Sequence, residues 1–209
     1  MRLKYTFLLL FATVSAAAQN KDLPLSLSIF NNGTSLPGRG YAGVFSKTIH
    51  PGISLGTAHL YRKGIHSELF QTLKLGYFYH QYNQHGLQLY SELGYRYLTG
   101  SGFYGEGLLG AGYLHSFADV QQFRLENGRY VKKKNWGRPQ LMATLSLALG
   151  YDLKPHCGLP LKFFLQYQFW LQTPFVNKYV PLLPNTALHL GAIYSLRWHK
   201  QTALPDHEI

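Results

Sequence analysis

Ten histidines and a scatter of serines are the groups in this chain best suited to nucleophilic or acid–base chemistry, and their spacing argues against most of it. A serine hydrolase needs Ser, His and an acidic group brought to one point. His115-Ser116 and His66-Ser67 are adjacent pairs, and neighbours in an extended strand point to opposite sides. His50, His80, His85 and His115 lack the close helical or turn spacing of a metal site, so no metal is expected. Gly105-Glu106-Gly107-Leu108-Leu109-Gly110 has the letters of a dinucleotide fingerprint but no helix after it, and no cofactor is expected either. Cys157 is the only cysteine, so no internal disulfide can form, and Pro155-His156-Cys157-Gly158 supplies no evident activating group. What remains is a set of polar side chains spaced by even numbers within their segments: Lys74, Gln88, Glu92, Arg96, Glu106, Lys162, Gln166, Gln168, His189 and Arg197.

Even spacing is the period of a β-strand. Four stretches carry it strictly: 87–98, 141–152, 161–172 and 187–198. One face of the first reads Leu87, Leu89, Ser91, Leu93, Tyr95, Tyr97, and the corresponding faces of the others contain no polar side chain. Charge and amide groups occupy the opposite faces. Strands this long and this consistently apolar on one side imply lipid outside and a polar interior.

The amino terminus agrees. Arg2 and Lys4 precede a mostly apolar run from Tyr5 to Val14, and Ser15-Ala16-Ala17-Ala18 offers the small residues of a cleavage site. Residues 1–18 therefore read as a signal peptide, too short to span a bilayer as a helix, which needs about 20 residues. No Cys follows the cleavage site, which argues against a lipoprotein anchor. Residues 19–209 read as one domain with strands over about 23–198 and a short periplasmic tail. Mean hydropathy is −0.13, the value alternation produces by averaging. Aromatics make up 15% of the chain and gather near strand ends. Tyr61, Tyr95, Tyr97, Phe103, Tyr151 and Trp198 are expected at one membrane interface and Tyr77, Tyr79, Tyr113 and Phe169 at the other.

Eight strands are predicted, at about 23–30, 52–62, 67–81, 86–98, 103–117, 138–153, 160–172 and 186–198. The connections 63–66, 99–102 and 154–159 are short and each contains Gly or Pro, as periplasmic turns do. The connections 31–51, 118–137 and 173–185 are long, as extracellular loops are, and only 82–85 is short. The expected fold is all-β, an eight-stranded antiparallel transmembrane β-barrel with both termini in the periplasm of a Gram-negative cell.

Signal segment, strand number, loop asymmetry and a last strand, Thr186 to Trp198, rich in outward aromatics make the chain resemble the small eight-stranded outer-membrane barrels of the OmpA/OmpX class. The resemblance covers residues 23–198 and implies an architecture rather than an activity. It places the protein in the bacterial outer membrane and makes the last strand look like the signal read by barrel-insertion machinery. Some barrels of this size are lipid A deacylases or palmitoyltransferases. The deacylases' His-x-Ser pairing is absent from residues 19–209, where no histidine has serine two places on.

A barrel of eight strands is just wide enough for its own side chains to fill. Lys74, Glu92, Arg96, Glu106, Lys162, His189 and Arg197 are therefore expected to form a paired charge network in the lumen. Two loops stand out. Residues 119–138 carry Arg124, Arg129, Lys132, Lys133, Lys134 and Arg138 against Asp119 and Glu126, and should face lipopolysaccharide. Residues 173–185 are apolar and proline-stiffened. They either fold over the barrel mouth or dock another outer-membrane protein or surface lipoprotein, with Phe175, Tyr179, Leu182 and Leu183 as the contact residues. The formal net charge of +11 suits outer-leaflet lipid, and export argues against nucleic acid, so none is expected as a partner. The expected function is non-enzymatic, a structural or partner-binding barrel acting through its extracellular loops. A lipid-modifying enzyme is the alternative, and a narrow channel comes third.

Overall fold

The computed structural model describes residues 22–34, 49–121, 123–126, 128–132, 134–175 and 181–197. The expected signal peptide, the tail, Trp198 and Tyr179 lie outside them. The strands are β1 (Asp22–Gly33), β2 (Pro51–Lys63), β3 (Ser67–His80), β4 (Gln84–Leu98), β5 (Phe103–Ala118), β6 (Phe123–Glu126), β7 (Arg129–Lys132), β8 (Arg138–Asp152), β9 (Leu161–Thr173) and β10 (Leu183–Arg197). Eight of them close into a barrel in the order β1-β10-β9-β8-β5-β4-β3-β2, every neighbour antiparallel. Closure leaves no barrel strand with an unpaired edge, the condition for crossing a hydrocarbon layer with strands.

All eight expected barrel strands are present, with corrections at their ends. β1 continues to Gly33 because Asn31, Asn32 and Gly33 pair with Leu188, Ala187 and Thr186 of β10. These polar residues carry no alternation and are drawn into the sheet by closure. β10 begins at Leu183, so Leu183 is a strand residue rather than part of the loop. Arg138 opens β8, as the strand predicted at 138–153 has it, and so does not belong to the basic loop with which its charge groups it. That loop is not irregular throughout: β6 and β7 pair as a separate two-stranded sheet. The turn after β8 contains α1 (Lys154–Cys157), closed by Gly158 at φ 70°.

One end of the barrel carries the turns at 64–66, 99–102 and 153–160; the other carries the longer connections and the turn at 81–83. They are called the turn end and the loop end below. The wall is apolar, with Leu27, Ile29, Leu55, Leu109, Leu145, Leu147 and Leu190 all exposed. Ser91 is tied down there, accepting a 2.8 Å bond from Gln71 Nε2, while Tyr61 donates to Gln71 Oε1. Aromatics mark both ends. Phe103 stacks edge-on against Tyr151 at the turn end. At the loop end a ribbon runs across β3, β4 and β5: Tyr77 meets His85, His85 stacks on Phe117, Phe117 meets His115, and Tyr113 shares a 2.7 Å hydrogen bond with His115.

The glycines of β5 divide by face. Gly107 looks outward into open space and a Cβ on Gly105 would meet only Leu149 Cδ2 at 3.8 Å, whereas a Cβ on Gly110 would lie 2.2 Å from the Ser91 carbonyl oxygen and 2.8 Å from Glu92 Cα. β4 and β5 approach here only because the side chain is missing. Gly110→Ala is expected to cost about 1–3 kcal/mol or more, as overpacking does, against less than about 0.5 kcal/mol for Gly107→Ala. Urea unfolding in lipid vesicles, read by heat-modifiable gel mobility, checks this. Equal midpoints for the two variants would contradict the packing argument.

Candidate functional site

Inward positions along each strand change character from the turn end to the loop end. On β9 they run Phe164, Gln166, Gln168, Trp170, Gln172; on β4, Arg96, Glu92, Tyr90, Gln88, Gln84. The lumen is therefore layered: ions toward the turn end, an apolar layer above them, then amides at the loop end.

The ionic layer holds three groups. Arg96 donates from Nη1 to Glu68 Oε2 at 2.6 Å and from Nε to Glu106 Oε1 at 2.5 Å, with its guanidinium over the rings of Phe70 and Tyr104. Lys162 meets Asp152 at 3.2 Å. Deeper, Lys74 Nζ lies 2.8 Å from Glu92 Oε2 and donates to Gln166 Oε1 at 3.3 Å. The other oxygen of Glu92 accepts from Ser146 Oγ and Gln168 Nε2. Glu92 has no exposed surface, so this saturation is what makes its charge tolerable in the barrel. Of the expected network, Lys74, Glu92, Arg96, Glu106 and Lys162 all make ion pairs. His189 is buried beside them, and the Arg197 side chain lies outside the described set. Glu68 was missed although it shares β3 parity with Lys74. The alternation was read from the strand interior, and Glu68 sits one residue from its start.

His189 also supplies a contact that adjacency searches overlook. Its Nδ1 lies 3.3 Å from Ser28 Oγ and its Nε2 3.3 Å from Gln168 Oε1, and its ring stacks on Phe30. Ser28 and His189 are 161 residues apart and meet through the β1–β10 seam. The third member is an amide, which lacks the charge a carboxylate provides to a forming imidazolium. Ser28 and His189 are both buried, so the dyad is packed inside the barrel away from lipid. His115 and Ser116 point apart as expected, Ser116 inward to Gln140 and His115 outward to the Trp136 carbonyl.

The apolar layer is Phe30, Phe78, Tyr90, Leu114, Met142, Trp170 and Ala187, all buried. Above it Gln84, Gln172 and Gln140 form an amide chain. Gln172 Nε2 donates to Gln140 Oε1 at 2.7 Å and Gln84 Nε2 to Gln172 Oε1 at 3.0 Å. Below it a cavity of about 690 Å³ opens at the turn end, and none of the apolar layer lines it.

At the loop-end mouth His50 and His80 stack with ring centroids 3.6 Å apart, and both Nδ1 atoms are buried without a partner. Desolvation holds the His50 imidazole below its ordinary value. Among the described residues no three His, Cys, Asp or Glu groups come together as a metal site. Phe175 lies beneath the Arg138 guanidinium, and its carbonyl accepts from Arg138 Nη1 at 3.0 Å. Gln140 Nε2 donates to the Pro174 carbonyl at 2.7 Å and Phe175 N to the Pro181 carbonyl at 3.1 Å. This end of the loop is thereby bonded to the mouth, while Leu182 stays exposed.

The β6–β7 hairpin differs. Phe123, Leu125, Tyr130 and Trp136 are 58%, 62%, 79% and 72% exposed. Phe123 and Leu125 share a face with Tyr130 and Lys132 through the pairs Phe123↔Lys132 and Leu125↔Tyr130. Arg129, Lys132 and Lys134 are exposed, and Lys134 Nζ lies 4.0 Å from the Trp136 ring centroid. Lys133 and the Arg124 side chain fall outside the described set. The sequence flagged this loop for charge alone and missed its apolar residues, because the cations dominate the composition.

No family model matches the chain, and no curated protein matches it. Solved structures do. The crystal structure of neisserial surface protein A is similar at 10% identity and a TM-score of 0.51, over 84% of this chain and 96% of that one. Ail, the attachment invasion locus protein of Yersinia pestis, is similar at 13% identity, over 85% and 100%, with a TM-score of 0.48. The outer membrane enzyme PagL is similar at 10% identity, over 82% and 98%, with a TM-score of 0.47. The chain is a closed eight-stranded antiparallel barrel with the fold of the small outer-membrane barrel proteins.

Proposed function

We propose that this protein is a non-enzymatic outer-membrane barrel, closed through its lumen, that serves as a structural or partner-binding component through its loop end. The turn end then faces the periplasm and the loop end the cell exterior. The observation that carries this reading is the β6–β7 hairpin. Two strands alone bury too little to be stable in water, yet this pair presents Phe123, Leu125 and Tyr130 to solvent. Apolar groups in that arrangement favour a partner. Lys132, Lys134 and Trp136 at its base match the phosphates and interfacial depth of outer-leaflet lipid, lipopolysaccharide included. Phe175, with its carbonyl already bonded to Arg138, is better suited to sealing the mouth than to anchoring a partner.

The lumen acts as a lock. The apolar layer opposes ion passage, the pairs beneath it join β3, β4 and β5 to one another and β8 to β9, and hydrogen bonds from Lys74 to Gln166 and from Ser146 and Gln168 to Glu92 tie the two sets together.

Three outcomes follow. A photoreactive residue in place of Tyr130 is expected to give a discrete protein or lipopolysaccharide adduct in native outer membranes, where the same group at Leu109 labels only bulk lipid. Identical labelling from both positions would remove the basis for the loop-end reading. In planar bilayers the purified protein is expected to show no steady conductance, and a stable single-channel current would favour the conduit instead. Glu92→Gln leaves Lys74 buried without its counter-charge and should cost about 3–5 kcal/mol of unfolding free energy in vesicles. Adding Lys74→Met should recover most of that loss; a double variant as weak as the single would refute the lock.

A further inference from the structure

The cavity at the turn end has a chemistry that the locking role of the lumen leaves unused. It measures about 690 Å³, inside the usual range for small-molecule sites of about 300–1,000 Å³. Its walls are apolar, formed by Leu60, Phe70, Leu98, Phe164 and Ile193. Its polar lining is largely spent. Lys74 is taken by Glu92, Lys162 by Asp152, and Arg96 is shared by Glu68 and Glu106. Lys63 and Lys154 also line it but are exposed at the turn end, and no buried cation is left over deeper in, so a carboxylate or phosphate reaching the level of Gln166 would carry its charge uncompensated.

Two hydrogen-bonding functions stay open. Gln166, which lines the cavity and is 3% exposed, accepts from Lys74 through Oε1. The ammonium fixes the orientation of that amide, so Nε2 is the free end, and it is buried with no partner. It calls for an oxygen acceptor. Nearer the mouth, Arg96 engages Oε2 of Glu68 and Oε1 of Glu106, and neither bond uses the second oxygen of either carboxylate. These call for N–H donors. An acceptor leading and a donor trailing on an uncharged group describes an amide, and the apolar walls describe what it is attached to.

We propose that the turn-end cavity is a binding site for a small uncharged amphiphile bearing an amide, its carbonyl at Gln166 and its N–H directed to Glu68 and Glu106. The inference needs only the barrel in a membrane and does not depend on the loop-end reading.

The test uses the full mature chain in phospholipid nanodiscs with carbonyl-¹³C octanamide, octanoate and octylammonium as probes, read by NMR against empty nanodiscs. Octanamide is expected to bind saturably and at least tenfold more tightly than either charged analogue. Gln166→Leu should weaken it at least tenfold. Ala58→Phe fills the cavity from β2 while leaving Gln166 itself unchanged and should do the same. Heat-modifiable mobility confirms that each variant is folded. Absence of saturable binding, an octanoate or octylammonium affinity equal to that of octanamide, or wild-type binding by both folded variants would overturn the proposal.

Discussion

Closure between β1 and β10 is the constraint on which the rest of this structure rests. Backbone groups in hydrocarbon have no water to turn to, so an open edge anywhere in the sheet would leave donors and acceptors unmet. The seam runs from Asp22↔Arg197 to Gly33↔Thr186 without interruption. It draws in the end of β1, where Asn31, Asn32 and Gly33 break the alternation that Leu23, Leu25, Leu27 and Ile29 carry. Once the seam is made, strand number fixes the bore, and the bore is too narrow for loosely arranged side chains.

The contents of the lumen follow from that narrowness. Large inward side chains sit opposite missing ones: Phe30 fills the space over Gly52, and Phe70 the space over Gly94. Charges are admitted only where partners reach them. Glu92 receives bonds from three strands, Lys74 of β3, Ser146 of β8 and Gln168 of β9, so one carboxylate gathers walls far apart in sequence. The apolar layer excludes water above these pairs and strengthens them by lowering the local dielectric. Polar network and apolar plug are therefore a single arrangement.

Much of this was legible in the sequence because a two-residue period is a direct imprint of a lipid-facing wall. β4, β8, β9 and the body of β10 were readable from alternation alone, and parity assigned Lys74, Glu92, Arg96, Glu106 and Lys162 to the interior. What was hidden depends on register between distant strands. Ser28 meets His189, and His50 stacks on His80, only after the barrel has closed. The β6–β7 hairpin was hidden for a different reason. Its strands are four residues each, too short for periodicity to rise above the charges around them. Leu183 follows Pro174 and Pro181, which suggest a loop, whereas pairing with Gln172 draws it into the sheet.

The Tyr77–His85–Phe117–His115–Tyr113 ribbon occupies only three adjacent strands, and the hairpin is rooted in one of them through the bond from His115 to the Trp136 carbonyl. The barrel is consequently not equivalent around its axis. It has a front, where the polar–aromatic anchor, the exposed cations and the projecting hairpin coincide, and a back on β1 and β10 whose wall is mainly aliphatic, with Leu25, Leu27, Ile29 and Leu190 exposed and Tyr194 toward the turn end. A neighbour in the plane of the membrane meets a different molecule according to the side from which it arrives, and rotation about the membrane normal becomes a variable that governs its encounters.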